Sequence, residues 1–136
     1  MIKLTAVILW FLAGTAHGQT WLHVGGLSVH DKSGFNNHNP GLGLEWQTGP
    51  RWSAAVGTYR NSNFQQTVYA AAKYQWSITP NLPVNLNIGA ATGYLAAPVV
   101  PVIAPEICYR WTCGILLPAV RASGASAIAV YLRIPF

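Results

Sequence analysis

The sequence predicts an all-β protein, an eight-stranded antiparallel up-and-down barrel that spans a membrane. Hydrophobic residues make up 51% of the 136-residue chain and charged residues only 8%. After the first 18 residues, no stretch offers the roughly 18 uninterrupted apolar residues that a spanning helix needs. Apolar and polar residues instead alternate in short segments, which is the period-two pattern of a β-strand. Since every backbone polar group in lipid must be paired internally, this combination indicates a closed barrel.

The N-terminal segment Met1–Gly18 has the three parts of a secretory signal peptide. Lys3 supplies the positive charge, Leu4–Leu12 is a short apolar run, and Ala16 and Gly18 form a small-x-small cleavage site. The apolar run is too short for a comfortable membrane span. We therefore expect residues 1–18 to be removed on export and residues 19–136 to form a single barrel domain.

Eight extended segments with turn signals between them follow the signal segment. Their lengths suit transmembrane strands, which need about 9–11 residues when tilted. The predicted segments are Trp21–His30, Gly41–Thr48, Arg51–Asn61, Thr67–Ser77, Val84–Tyr94, Pro98–Tyr109, Trp111–Val120 and Ser126–Phe136.

The last segment, Ser126–Phe136, shows the alternation most clearly. Its apolar face is broad, whereas Ala129, Tyr131 and Arg133 lie on the other face. An aromatic residue at the end of such a strand resembles the C-terminal sorting signal of outer-membrane barrels. The resemblance implies recognition by the barrel assembly machinery of a Gram-negative bacterium, with the last strand of a soluble sandwich as the alternative.

An exported chain starts and ends in the periplasm, so the tight turns are expected on the periplasmic side and the longer loops outside. Several tryptophans fall near the predicted periplasmic ends, as in an aromatic girdle. These are Trp46, Trp52, Trp76 and Trp111. The charged residues expected to point into the lower half of the barrel are Glu45, Arg51, Lys73 and Arg133. A small barrel has a filled interior or one narrow ligand site, so these charges are expected to form buried ion pairs.

Cys108 and Cys113 flank a predicted hairpin turn. Cysteines that face each other across a tight hairpin in an oxidising compartment can reach disulfide geometry. No second ligand pair lies at a zinc-finger spacing, and His23, His30 and His38 show no metal-site periodicity. The sequence therefore predicts a disulfide and neither a metal nor another cofactor.

Prolines interrupt three of the predicted strands or their edges. Proline donates no backbone hydrogen bond and therefore weakens the ladder where it lies. Pro40 precedes the second segment, Pro105 lies in the sixth and Pro118 in the seventh. We expect these three positions to border lateral openings in the barrel wall, although strand ends and loops are the ordinary explanation for a proline.

Several motifs resemble the outer-membrane lipid A palmitoyltransferases (PagP-type). They cover most of the chain after the signal segment. They are His30-Asp31-Lys32, Phe35–Leu44, Tyr59-Arg60-Asn61-Ser62, Tyr74-Gln75-Trp76, Ile88–Gly93, Pro98–Pro105, Leu117-Pro118 and Tyr131–Phe136.

The resemblance implies transfer of an acyl chain from a phospholipid to lipid A, with lateral entry beside prolines. The family's catalytic histidine corresponds to His30 or His23, and we choose His30 because it lies nearer the outer rim. The family's Asp-Ser pair reads Asn61-Ser62 here, so the candidate catalytic residues are His30, Asn61 and Ser62. Gln75 stands where the family sets acyl-chain length, and with Lys73 it is expected to form the pocket floor. We do not expect the family's N-terminal amphipathic helix here, because Trp21 begins a predicted strand soon after the signal segment.

Two other functions remain open. The first is a non-catalytic monomeric barrel that alters the cell surface. The second is lipid A deacylation, with His30, Ser33 and Glu45 near Asn39–Gly41. Nucleic-acid binding has little support because the net charge of +5 is scattered and forms no basic run.

Overall fold

A computed structural model of the chain describes residues 18–94, 97–117 and 126–136. Its eight antiparallel strands follow one another around a closed barrel, in which β1 pairs with β8. The strands are β1 (Thr20–His30), β2 (His38–Gln47), β3 (Trp52–Arg60), β4 (Gln66–Thr79), β5 (Leu82–Tyr94), β6 (Ala97–Tyr109), β7 (Thr112–Leu117) and β8 (Ala127–Pro135). The predicted all-β, eight-stranded antiparallel barrel is confirmed.

The described residues contain no helix that is long and apolar enough to cross a membrane.

Each predicted segment overlaps one observed strand, and most bounds differ by one or two residues. β2 is the main exception because it begins at His38 and so includes Pro40. The loops 31–37 and 61–65 lie at one end of the barrel, which we call the loop end. The opposite end, with the turns at 48–51, 80–81 and 110–111, is called the turn end.

Side chains alternate between an apolar outer face and an interior of polar or small residues. On β8, Ile128, Val130 and Leu132 are exposed on the outside, whereas Ala127 and Arg133 are buried. The predicted faces of this strand are therefore observed, and the other strands show the same alternation.

The two halves of the interior differ in the size of their inward side chains. Towards the turn end the interior is filled by large polar groups such as Glu45, Lys73 and Arg133, all of them buried. Towards the loop end, Tyr59, Tyr69 and Tyr94 line the interior together with many small residues. The small residues include Gly25, Gly41, Ala55, Ala71, Ala91, Ala127 and Ala129. Because small side chains cannot meet across the barrel, this half encloses open space.

Cys108 and Cys113 face each other in the β6–β7 pairing and form a disulfide, with the Sγ atoms 2.00 Å apart. The predicted pairing of the two cysteines is confirmed. The predicted signal segment, except Gly18, and Pro118 lie outside the described residues.

Candidate functional site

The loop-end half of the barrel contains an apolar cavity of about 220 Å³. Ala55, Ala91 and Val100 are among the side chains that form its wall. Ser62 and Asn39 border it at the loop end. The cavity therefore extends from the loops towards the middle of the barrel, and its apolar wall suits an apolar ligand.

A polar layer closes the cavity from below. Lys73, His23, Glu106 and Tyr131 all line the cavity at this level. The Lys73 Nζ lies 3.2 Å from a Glu106 carboxylate oxygen and donates a hydrogen bond of 2.9 Å to the Tyr131 hydroxyl. The Tyr131 hydroxyl in turn donates to Glu106. Lys73 thus lines the cavity at its lower limit.

Next to this floor, three basic side chains contact the Glu45 carboxylate. The Arg133 guanidinium binds this carboxylate through two nitrogens, at 2.6 and 2.9 Å. His23 Nε2 lies 2.7 Å and Lys73 Nζ 3.2 Å from the same carboxylate. Two buried carboxylates, those of Glu45 and Glu106, therefore face the two permanent cations Lys73 and Arg133. Such balanced pairing is what makes buried charge tolerable.

Two expectations about this layer need correction. Arg51 was expected inside, but it is exposed at the β2–β3 turn, because the strand begins only at Trp52. Glu106 was not predicted as an interior charge, although it is only 2% exposed. The signal for it was present, since Glu106 shares its face of β6 with the small Ala104.

Gln75 does not form the cavity floor, and this prediction is wrong. The residue lies on β4 beyond Lys73, on the turn-end side of the charged layer. Its side chain is not among those that line the cavity, and its amide approaches Ser77. The bulk at position 75 therefore does not limit the depth of the cavity, because the polar layer at Lys73 closes it first.

At the loop end, His30 and Ser62 form a direct contact. The His30 Nε2 lies 2.6 Å from the Ser62 hydroxyl. His30 ends β1, and Ser62 lies in the β3–β4 loop, so the contact depends on the barrel bringing the two loops together. Ser62 borders the cavity, and His30 approaches it from the loop.

Asn37 holds the other side of the His30 ring. The His30 Nδ1 lies 2.7 Å from the Asn37 Oδ1. Because an amide carbonyl oxygen can only accept a hydrogen bond, this contact assigns the proton to Nδ1. The neutral ring then has its free lone pair on Nε2, where it accepts the Ser62 hydroxyl proton. Phe35 stacks on the ring with a centroid distance of 5.1 Å and an interplanar angle of 17°.

Asn36 fixes the two loops to each other. Its backbone N–H donates to the Ser62 carbonyl at 3.0 Å, and its side-chain amide donates to the Asn61 carbonyl at 3.2 Å. Asn36 is buried, and its own Oδ1 accepts from the His38 N–H. The position of Ser62 relative to His30 and Asn37 is therefore set by hydrogen bonds between the loops.

Asn61 does not join the His30–Ser62 pair. Its Nδ2 donates to the Thr67 hydroxyl and to the Gly93 carbonyl, at 3.0 and 2.8 Å. Its Oδ1 accepts the backbone N–H groups of Asn63 and Gln65, at 2.8 and 3.0 Å. The side chain is fully buried and shapes the β3–β4 loop. Both Nδ2 hydrogens are used in these bonds, so Asn61 has no free side-chain N–H to donate to a reacting group.

The two candidate histidines have different surroundings. His23 is buried in the charged layer, with Glu45 on Nε2 and the Tyr69 hydroxyl 3.3 Å from Nδ1. His30 lies at the loop end with a hydroxyl partner. The structure therefore separates Glu45 from His30, and the combination of His30, Ser33 and Glu45 considered for deacylation is not brought together.

Pro40 and Pro105 lie where strand pairing stops. Towards the loop end, the described β6–β7 pairs end at Glu106 and Ile115, and Pro105 immediately precedes Glu106 in β6. At the same end, the β2–β3 pairs end at Gly41 and Tyr59, and Pro40 immediately precedes Gly41 in β2. Opposite Pro40, the β1–β2 register shifts between Gly25 and Leu27.

Glu106 and the two cysteines are the acidic and sulfur groups of the described residues that come closest to a metal-binding set. Their ligand atoms lie within 4.8 Å of one another. With Cys108 and Cys113 bonded to each other, neither offers the thiolate that binds a metal. In this oxidised form the cluster is not a metal site.

Asn37 is the site residue that sequence reasoning missed. It lies in the segment Phe35–Leu44 of the family resemblance, but no spacing rule links it to His30 or Ser62.

No model of a protein family matches the chain, and no curated protein matches it.

Proposed function

We propose that this chain is an outer-membrane barrel of a Gram-negative bacterium that transfers an acyl chain from a phospholipid to lipid A. The observation that carries the proposal is the His30–Ser62 pair at the loop end of an apolar cavity inside the barrel. A hydroxyl and a histidine at this place could act on an ester whose acyl chain lies in the cavity.

The outer surface supports a membrane location. Large apolar side chains are exposed around the barrel, among them Val29 at 71%, Leu27 at 62% and Ile103 at 62%. Contiguous apolar surface on this scale is unusual for a protein in water. Trp52, Trp76, Tyr109 and Trp111 are exposed near the turn end, where an aromatic girdle would meet the membrane interface.

The early ends of strand pairing support lateral entry of lipid. β6 from Ala97 to Pro105 pairs only with β5 within the described residues. An acyl chain in the bilayer could pass this edge and reach the cavity without leaving an apolar environment. The break at Pro40 offers a second route on the other side of the barrel, so donor and acceptor need not enter by the same opening.

The interior supports an acyl chain as the guest. The cavity wall is apolar, and the polar floor at Lys73 and Glu106 sets its lower limit. The carbonyl of an ester-linked chain would then lie near Ser62, where His30 can accept a proton. One observation favours the alternative of a non-catalytic surface barrel. His30 has an amide partner, Asn37, and no carboxylate among the described contacts.

Mass spectrometry of lipid A tests the proposal. The full chain, expressed in an outer membrane whose lipid A lacks the corresponding acyl chain, should increase the lipid A mass by one acyl group. His30→Ala should reduce this product by about 10²–10⁴-fold, because a positioned proton acceptor contributes that much. The matched control is His38→Ala, since His38 is exposed at the start of β2 and faces neither Ser62 nor the cavity.

Heat-modifiable migration on gels should confirm that every variant forms a folded barrel. If lipid A keeps its mass although the unmutated protein is folded in the outer membrane, acyl transfer is refuted and the non-catalytic barrel is retained. If His38→Ala loses the product as completely as His30→Ala, the assignment of His30 is refuted.

A further inference from the structure

We infer that Ser62 is a covalent nucleophile, activated by His30, and that Asn37 is the positioning residue that orients the His30 ring. The inference deepens the proposed function and rests on it for the identity of the acyl donor. It adds an acyl-serine intermediate and gives a role to Asn37.

The geometry has the order nucleophile, base and orienting group. The Ser62 hydroxyl lies 2.6 Å from His30 Nε2, and the Asn37 Oδ1 lies 2.7 Å from His30 Nδ1. Both distances are within hydrogen-bonding range for a nucleophile and its base. The same three roles, with an asparagine as the third residue, occur in cysteine proteases on an unrelated fold.

Asn37 selects the tautomer that the reaction needs. If Nδ1 were the acceptor, Nε2 would carry the proton and could not take one from Ser62. The amide oxygen of Asn37 instead holds the proton on Nδ1 and leaves the Nε2 lone pair towards the serine. The stacked Phe35 ring and the Asn36 hydrogen bonds between the two loops limit rotation of these groups.

Only Ser62 among these groups borders the cavity. His30 and Asn37 lie behind it, on the loop side, and neither lines the cavity wall. An ester carbonyl at the end of a chain in the cavity would therefore meet the serine oxygen first. This favours attack by Ser62 itself over a role in which His30 activates the acceptor directly.

The reaction then has two balanced halves. In the first, Ser62 Oγ forms a bond to the acyl carbon of an ester lipid, its proton passes to His30 Nε2, and the ester carbon–oxygen bond breaks. The leaving alcohol takes the proton from His30. In the second, the acceptor's hydroxyl gives its proton to His30 and attacks the acyl-serine, which releases the acylated acceptor and returns the proton to Ser62. Water as the acceptor would give hydrolysis by the same steps.

An alkyl fluorophosphonate is the probe. Ser62 Oγ would displace fluoride and form a stable serine–phosphorus bond, with the proton leaving through His30. The full chain, purified as a folded barrel in detergent, should gain the mass of one probe minus hydrogen fluoride, and peptide mapping should locate it at Ser62. Ser62→Ala should gain none. Ser77→Ala, at the exposed turn end of β4, should be labelled like the unmutated protein.

The test of Asn37 must distinguish a positioning role from a purely structural one. Asn37→Ala should slow labelling roughly tenfold, the rate equivalent of one hydrogen bond of about 1.4 kcal/mol. Asn37→Asp should restore the rate, because a carboxylate also accepts from Nδ1–H. If the aspartate variant is folded yet as slow as the alanine variant, the positioning role is wrong.

The results also separate this inference from the proposed function. Lipid A acylation without labelling of Ser62 would overturn the covalent step and leave acyl transfer intact. Labelling of Ser62 with unchanged lipid A would support the nucleophile and refute lipid A as the acceptor. A folded protein that is neither labelled nor active on lipid A would overturn both.

Discussion

Asn61 and Asn37 show how two residues of the same type come to have different roles. Asn61 is fully buried and makes four hydrogen bonds, two from its Oδ1 within the β3–β4 loop and two from its Nδ2 to β4 and β5. Asn37 is exposed and directs its oxygen at His30. The difference lies in the tertiary surroundings, because the sequence neighbours of the two asparagines predict neither role.

Replacement of Asn61 by aspartate should destabilise the protein. A carboxylate cannot donate to the Thr67 hydroxyl and the Gly93 carbonyl, so a buried acceptor loses its partner, at a cost of about 1–3 kcal/mol. The expected result is a lower urea midpoint in detergent micelles. Asn81→Asp, in the exposed β4–β5 turn, is the matched control and should change the midpoint little.

The family resemblance implies a separate expectation about catalysis, that an aspartate at position 61 raises activity. Equal urea midpoints for Asn61→Asp and the unmutated protein would show that the Nδ2 hydrogen bonds contribute nothing to stability. The loop-building role of Asn61 would then be wrong.

At the scale of elements, the β6–β7 hairpin is closed at one end and open at the other. The disulfide joins the two strands next to the Arg110 turn, whereas their pairing within the described residues stops at Glu106 and Ile115. The crosslink thus holds the turn end, and the edge of β6 beyond Glu106 lies towards the loop end. Pro105 comes directly after the last pair and offers no N–H to extend it.

Reduction of the disulfide should leave the barrel folded. The two cysteines are only 5 residues apart in sequence, and closure of so short a loop contributes about 2 kcal/mol. Dithiothreitol-treated protein should keep its heat-modifiable migration, and so should the Cys108→Ala/Cys113→Ala double variant. Migration of the reduced protein as an unfolded chain would contradict this prediction.

At the scale of the whole molecule, the barrel has an apolar exterior around a polar layer and an apolar cavity. The charged layer is compensated, since Glu45 and Glu106 face Lys73 and Arg133. This arrangement suits a barrel in lipid, where side chains that point outward meet hydrocarbon and unpaired charge is costly.

The membrane location can be tested with one substitution at two depths. Ile88 and Ile78 are both exposed on the outer face, the first in the middle of β5 and the second near the turn end of β4. In lipid vesicles, Ile88→Arg should lower the free energy of unfolding by about 2–4 kcal/mol, and Ile78→Arg by only about 0–1 kcal/mol. Urea titration of the refolded proteins measures both.

A barrel that stood in water would give a different result. Two exposed isoleucines would then tolerate arginine about equally, because both side chains would already be hydrated. Equal costs at the two positions would therefore refute the membrane location.

The barrel and the direction of its side chains could be predicted from local patterns in the amino-acid sequence. Period-two alternation reports the two faces of each strand locally, so the eight segments and the inward Glu45, Lys73 and Arg133 could be predicted without knowing which strands touch. The cysteine pair could also be predicted, because the two residues flank one tight turn.

The division of the interior and the residues of the site depend on contacts between strands and loops that are distant in the chain. The depth of the cavity depends on contacts across the barrel, where Lys73 and Glu106 meet from β4 and β6 and close it before Gln75 is reached. The partners of His30 come from two different loops, and Asn36 fixes those loops to each other. Local sequence patterns carry no information about such contacts, because hydrogen bonds between distant segments depend on strand register and barrel closure rather than on residue spacing.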